Sequence, residues 1–280
     1  MGRLAIIGAS GWIGRAVRGL AATMESTTEV FSVDLNTTFI NSENVRQILR
    51  PTPDLTVMCL AGLKNGACQE LYNANAHLPS LIVESLEGSG AHLVHIGSSA
   101  EYGDPGTFLP IAEDLAPAPK SDYGASKLAG TEAVLNYRYS CVLRAFNIFD
   151  SEMPSGHVLT EISEKIECAY RNGSDVELMS AGTTRDFVTR NFIAKSLIHA
   201  AHHRTSGLFN ICSGIGLSFQ EIVEGAEDFL QYKLAVRDLG CPSIRSVVGN
   251  PDSWFNETGL KEQSRASDVA TLLLGTRGVQ

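Results

Sequence analysis

The sequence predicts an α/β fold, a doubly wound parallel sheet with a small mixed α/β portion at its carboxyl end. Three observations predict it. A short apolar run, Leu4–Ile7, breaks into a glycine-spaced turn, opens a helical segment and reaches a second apolar run closed by Asp34. Further buried-strand runs at 55–60, 92–96 and 141–144 alternate with segments of helical periodicity long enough for crossover connections. From about residue 151 that alternation weakens.

The turn reads Gly8-Ala9-Ser10-Gly11-Trp12-Ile13-Gly14. A strand that passes at once into a helix needs a residue free of Cβ restriction. It also needs bare N–H groups where an anion meets the helix N-terminus, and close packing of helix on strand. Gly8, Gly11 and Gly14 supply these, with Ser10 where a second glycine is more familiar, so residues 8 and 10–14 are expected to cradle a dinucleotide's pyrophosphate. Asp34 lies about twenty residues beyond Gly14, placed to accept hydrogen bonds from the adenosine ribose and to repel a 2′-phosphate. This favours NAD as cofactor, while Arg15, beside the third glycine, keeps NADP open as a phosphate partner.

In chain order, a helix is expected over Ser42–Leu49, ended by Pro51 and Pro53 before the strand Leu55–Leu60. Ala61-Gly62 turns away from that strand. One long helix follows over about Ala67–Leu86, with Asn73, Asn75 and His77 inside it and Gly88 and Gly90 stopping it. His92–Ile96 is a buried strand ending in Gly97-Ser98-Ser99, and a proline-rich loop, Asp104–Lys120, is expected to wrap near the site. Tyr123-Gly-Ala-Ser-Lys127 opens a helix running to about Tyr137, and Ala145-Phe146-Asn147 leaves the end of the strand Cys141–Arg144. Beyond it, helices are expected near Val158–Arg171, Asn191–Ala201 and Ser218–Phe229, with strand-like pieces at Val176–Met179 and Gly207–Ile211 and a fraying tail after Leu274. The expected division is a dinucleotide-binding unit over 1–150 and a mostly substrate-binding portion over 151–280, with segments at about 185–212 returning to the core.

Composition bounds the function. The 280 residues, 44% hydrophobic and 19% charged, suffice for a large core. A net charge of −9 without any lysine or arginine block excludes general nucleic-acid backbone binding. No run approaches a membrane span, and the first apolar run is only a strand long, so we expect no membrane partner, no secretory signal and a cytoplasmic location. The sequons at Asn36, Asn172 and Asn256 then read as coincidence. Six cysteines (59, 68, 141, 168, 212, 241) lack C-x-x-C pairs and suit reduced thiols with no catalytic part. His199, His202 and His203 share helical spacing without a carboxylate framework, which suits a solvated face better than a metal site.

Tyr123 and Lys127, four apart on a helix, share a face. An ammonium beneath the phenol is expected to favour phenolate and bring its pKa down from about 10, making Tyr123 a general acid or base. Lys127 would also hydrogen-bond the nicotinamide ribose. Ser98, at a strand's end, can donate to the same substrate oxygen. Glu101 is open between a strand-end acid and a pocket residue, and Arg237 and Arg245 are weaker candidates for phosphate.

Taken together these residues resemble the extended short-chain dehydrogenase/reductases, the NAD-dependent epimerase/dehydratase group acting on nucleotide sugars. The matching stretches are the glycine turn, Asp34, Leu60-Ala61-Gly62, Asn75, Gly97–Gly103, Tyr123–Lys127, Leu143–Asn147, Arg185-Asp186-Phe187-Val188 and Phe209–Gly214. The resemblance implies a Rossmann fold, a catalytic Ser98, Tyr123 and Lys127, and Leu60, Ala61, Gly62 and Asn75 beside the cofactor. It implies that Asn147 and Arg185 meet the sugar nucleotide's diphosphate or sugar. Ser99, beside the catalytic serine, and His157, in the loop after Asn147, are further substrate candidates. It also implies a homodimer through the helices holding Tyr123–Tyr137 and Ala67–Leu86.

Two departures narrow the reaction. Sugar-nucleotide 4,6-dehydratases carry an Asp-Glu pair after the catalytic hydroxyl, where this chain has Ser99-Ala100, which argues against a dehydratase. Thr189-Arg190-Asn191 replaces the usual Asp-bearing helix start. The turn Ser98–Gly103 and the short carboxyl portion lean toward a 4-ketoreductase. A 4-epimerase, a ketoreductase for a non-sugar ketone and a silent dinucleotide-binding regulator are the alternatives.

Overall fold

The computed structural model describes residues 2–23, 29–33, 41–106, 110–154, 156–240 and 246–275. Asp34, Cys241, Arg245 and the tail beyond 275 lie outside them, as does part of the proline-rich loop. Six parallel strands form the main sheet in the order β2-β1-β3-β4-β5-β9: β1 (Arg3–Ile7), β2 (Glu29–Val33), β3 (Leu55–Cys59), β4 (His92–Ser98), β5 (Ser140–Ala145) and β9 (Gly207–Ile211).

Alternation along the strands explains why they read as continuous apolar runs. Leu4, Ile6, Met58, Val94 and Leu143 face α1 (Trp12–Ala21) and α7 (Arg190–His203). Ala5, Ile7, Val57, Leu93 and Val142 face α2 (Ser42–Leu49), α4 (Leu78–Leu86) and α5 (Asp122–Leu135). A sheet covered on both sides has no polar face to show. Caps set the helix starts: Asn41 Oδ1 accepts from Asn44 N at 2.9 Å, and Ser121 Oγ from Gly124 N at 3.1 Å.

The helix expected over Ala67–Leu86 is three pieces. α3 (Cys68–Tyr72) passes into a π turn at Asn73–His77 before α4, and Leu78 N reaches back to Asn73 O. The extra residue per turn rotates Asn75 inward, a distortion that spacing alone does not announce.

After β6 (Asn147–Phe149) the chain builds a second layer from α6 (Val158–Asn172), α8 (Phe219–Leu230) and α10 (Ala266–Gly275). These pack on β7 (Val176–Leu178) and β8 (Thr184–Thr189). β8 is flanked by β6, β10 (Gly216–Ser218) and β12 (Ser246–Val247), while β11 (Val236–Asp238) pairs with β7. α9 (Asp252–Thr258) inserts Trp254 against β9 and the main core.

The β4 histidines give a pH prediction. His92 lies fully inside with Nε2 2.8 Å from the carbonyl of Thr205, and burial pushes its pKa down to about 4. The unfolded chain, titrating near about 6.5, binds the proton more readily, so stability rises with pH across that window and is lost on acidification. Denaturant unfolding at about pH 7 and about pH 4.5 should show His92→Asn, which still offers an N–H to Thr205, losing about 2 kcal/mol less than wild type. Equal losses would show that His92 charges as freely folded as unfolded.

Candidate active site

The strands' carboxyl ends open onto one cleft of about 730 Å³ where the strand order reverses, between β1 and β3. The cleft gathers Gly11, Trp12, Ile13 and Gly14 from the glycine turn, and Leu60, Ala61, Gly62 and Asn75 from the end of β3 and the π turn. Ser98 and Ser99 enter from the end of β4, Tyr123 and Lys127 from α5, and Asn147, His157 and Arg185 from the second layer.

Two expected cofactor residues stand outside the cleft lining. Gly8, at φ +86°, shapes the turn from behind, and a Cβ there would lie 2.6 Å from Ala61 N. Ser10 is exposed, and its carbonyl accepts from Arg15 Nη1 at 2.9 Å, which folds the side chain expected as a phosphate partner back onto the glycine turn. Dinucleotide fit is favoured by three features. A Cβ on Gly14 would sit 2.1 Å from Gly8 O, so the turn closes only around glycine; α1 begins at Gly11 with no side-chain cap; and the indole Nε1 of Trp12 is buried without a partner. Uncapped N–H groups at a helix start suit a pyrophosphate.

Ser98 Oγ accepts from Ala100 N at 3.2 Å and lines the same cleft as Tyr123, near enough for its hydroxyl to favour the phenolate. The ammonium of Lys127 does not do what spacing suggests. It is buried and donates to the carbonyl of Ile96 at 2.5 Å, a partner 31 residues away. Burial raises the Tyr123 pKa, Ser98 opposes the rise and Glu101 adds to it. The expected lowering by Lys127 is therefore corrected: in this geometry the phenol holds its proton. Lys127 itself is lowered by burial, with Glu101 opposing.

Asn75 braces the floor. Its Oδ1 accepts from Leu63 N at 2.9 Å, and its Nδ2 donates to Leu63 O at 2.7 Å and to Ser126 Oγ at 3.0 Å. Replacing it with alanine should unpair both main-chain groups of Leu63, cost about 2 kcal/mol of stability and weaken dinucleotide binding, as denaturant unfolding and calorimetry would read. Unchanged stability would show that water or a shifted loop satisfies Leu63 equally.

On the substrate side, Asn147 Nδ2 donates to Asp186 O at 2.9 Å and Arg185 Nη1 to Thr184 O at 2.8 Å. Asp186 takes N–H groups from Ser213, Gly214 and Gly249, which fixes β8 and with it Arg185. His157 caps α6 through Nδ1, and burial with the charge of Lys64 pushes its pKa down to about 4. Lys64, Lys120 and Phe146 also line the cleft. Sequence reasoning passed over Lys64 although it stands two residues beyond Leu60-Ala61-Gly62.

Arg237 is corrected: it pairs with Glu177 at 3.0 Å on exposed surface, outside the cleft lining. Glu101 is buried and also outside the lining. His199 stacks on His203 and meets Trp254 edge-on, His202 meets His203 edge-on, and no described group of residues could hold a metal ion. Cys59, Cys141 and Cys212 are free and buried. No described helix is long and apolar enough to cross a membrane.

A sequence profile of the NAD dependent epimerase/dehydratase family matches residues 4–212. Among curated proteins, the chain is 27% identical to the dTDP-6-deoxy-L-talose 4-dehydrogenase (NAD(P)(+)) of Kitasatospora kifunensis, covering 91% of this chain and 85% of that one. It is 23% identical to the GDP-6-deoxy-D-mannose reductase of Pseudomonas aeruginosa, covering 84% and 82%. Among solved structures it resembles RMD from Pseudomonas aeruginosa, complexed with NADPH, at a TM-score of 0.80 and 21% identity, with 98% of both chains covered.

Proposed function

The chain belongs to the NAD dependent epimerase/dehydratase family, and we propose that within it this enzyme transfers hydride at C4 of a nucleotide-diphosphate deoxy sugar, as a 4-ketoreductase. One observation carries the reading: Ser98, Tyr123 and Lys127 line the same cleft as the uncapped helix start at Gly11.

When bound, the nicotinamide supplies or accepts the hydride. Gly11–Gly14 would hold its pyrophosphate, Asn75 the loop over it and Lys127 its ribose. In the reductive direction the C4 carbonyl gains a hydride at carbon while its oxygen takes the phenolic proton of Tyr123, and Ser98 donates a hydrogen bond to that oxygen. A phenol kept protonated by burial is suited to that donation. Asn147 and Arg185 would hold the sugar nucleotide, Arg185 through its guanidinium. Asp104 is the only acid among the described lining residues, and Ser99-Ala100 offer no group for elimination at the neighbouring carbon.

The test is a panel of dTDP-6-deoxy-L-talose, GDP-6-deoxy-D-mannose and UDP-glucose, each with NAD⁺ or NADP⁺. Stoichiometric appearance of reduced nicotinamide with either deoxy sugar supports the reading. Interconversion of two sugars without net cofactor reduction would replace it with a 4-epimerase, and no turnover with any of the three would sink the sugar-nucleotide assignment.

A further inference from the structure

Glu101 stands outside the cleft lining, yet it holds together the elements that carry the reacting groups. It is fully buried in a short 3-10 turn, Ser99–Glu101, directly after β4. Its Oε1 accepts from Ser98 N at 2.7 Å and from Thr131 Oγ1 at 3.0 Å, and its Oε2 takes Arg144 Nε at 2.7 Å. Thr131 lies on α5 at four residues past Lys127 and eight past Tyr123, so all three share one helix face. Arg144 is buried as well, with its guanidinium 4.5 Å over the ring of Tyr102, whose hydroxyl donates to Asn210 Oδ1 at 2.8 Å. Space is reserved for the carboxylate, since a Cβ at Gly97 would lie 2.9 Å from Oε1.

We propose that Glu101 is the positioning residue of this site: its carboxylate pins the Ser98 main chain to helix α5 and sets the charge that the Tyr123 phenol faces. A buried carboxylate is costly unless its oxygens are filled, and here three donors from β4, α5 and β5 fill them. Each bond therefore fixes one element that carries, or leads into, the reactive cleft. The charges around the pair of reacting groups come from every packed element. Glu101 acts through space on both Tyr123 and Lys127, Cys59 on β3 and His95 on β4 are coupled electrostatically to Lys127, and Arg144 on β5 pairs with Glu101. Lys120 stands at the cleft's edge before the helix. A negative charge there disfavours phenolate and keeps the proton available for delivery, which rests on the reading of Tyr123 as proton donor.

The decisive experiment is an ultraviolet difference titration of Tyr123, wild type minus Tyr123→Phe, repeated in a Glu101→Gln background with the matching double variant. Removing the charge should move the phenolate midpoint down by about one pH unit. The same variant should lower kcat about a hundredfold on the fastest panel substrate while cofactor affinity changes less than about threefold. An unmoved midpoint with wild-type kcat would overturn the proposal, leaving Glu101 a fold residue only. Should Glu101→Gln fail to fold, Thr131→Val removes one bond alone: a fall of about fivefold in kcat at unchanged cofactor affinity supports the role, and wild-type kcat overturns it. Full activity of Tyr123→Phe would instead defeat the proton-donor reading while the Glu101 midpoint shift persists, so the two failures are distinguishable.

Discussion

Tyr123→Phe should lower kcat by about a thousandfold with cofactor affinity and melting temperature close to wild type. Burial raises the pKa of the Tyr123 phenol, and Ser98 stands in the same cleft. Phenylalanine keeps the ring's packing and removes only the O–H, so the loss should appear in turnover and leave binding alone. Rate profiles against pH add a signed expectation. Burial and Glu101 both raise the Tyr123 pKa, so the protonated phenol needed for reduction persists past neutrality, and reductive kcat should decline only on the alkaline side. A decline beginning well below neutrality would show that Lys127 does depress the phenol once the cofactor is bound.

The second large effect is expected at the glycine turn. Gly14→Ala puts a methyl 2.1 Å from Gly8 O and 2.7 Å from Ala9 Cα, both main-chain atoms that cannot swing aside. The helix start must then move off the strand, costing about 3 kcal/mol and withdrawing the N–H groups that a pyrophosphate would meet. Calorimetry should show dinucleotide affinity reduced at least about a hundredfold. Gly19→Ala, on the same helix with nothing within 4 Å of the new Cβ, is the control and should bind as wild type. Equal affinity in Gly14→Ala would mean that the turn is not the pyrophosphate site.

What was legible in the sequence was local. Gly8, Gly11 and Gly14 announce their turn because two contiguous three-residue spacings carry the whole geometry, and Tyr123 and Lys127 share a helix face by period alone. The strands declared themselves because a sheet covered on both sides needs unbroken apolar runs. The parts that escaped depend on distant partners. Lys127 turns to the carbonyl of Ile96 rather than the phenol because burial demands an acceptor, and that acceptor lies on another element. Glu101 could not be assigned because its partners Thr131 and Arg144 are 30 and 43 residues away. The π turn at Asn73–His77 hides inside an ordinary helical pattern, and Arg185–Val188 shows in the sequence as a motif with no local mark of the strand β8, whose partners β6, β10 and β12 are set by tertiary pairing. Asp34, which carried the preference for NAD, lies outside the described residues, so cofactor choice passes to the NAD⁺ and NADP⁺ arms of the assay.

The most direct measurement follows the hydride itself. The enzyme would be incubated with the 4-keto form of dTDP-6-deoxy-L-talose and NADH bearing deuterium at both hydrogen positions of the nicotinamide C4, and the sugar product examined by mass spectrometry and NMR. The proposed chemistry predicts one deuterium at the sugar's C4 per cofactor oxidised, and its absence in Tyr123→Phe. Sugar product formed without deuterium at that carbon, or formed equally by Tyr123→Phe, would contradict it.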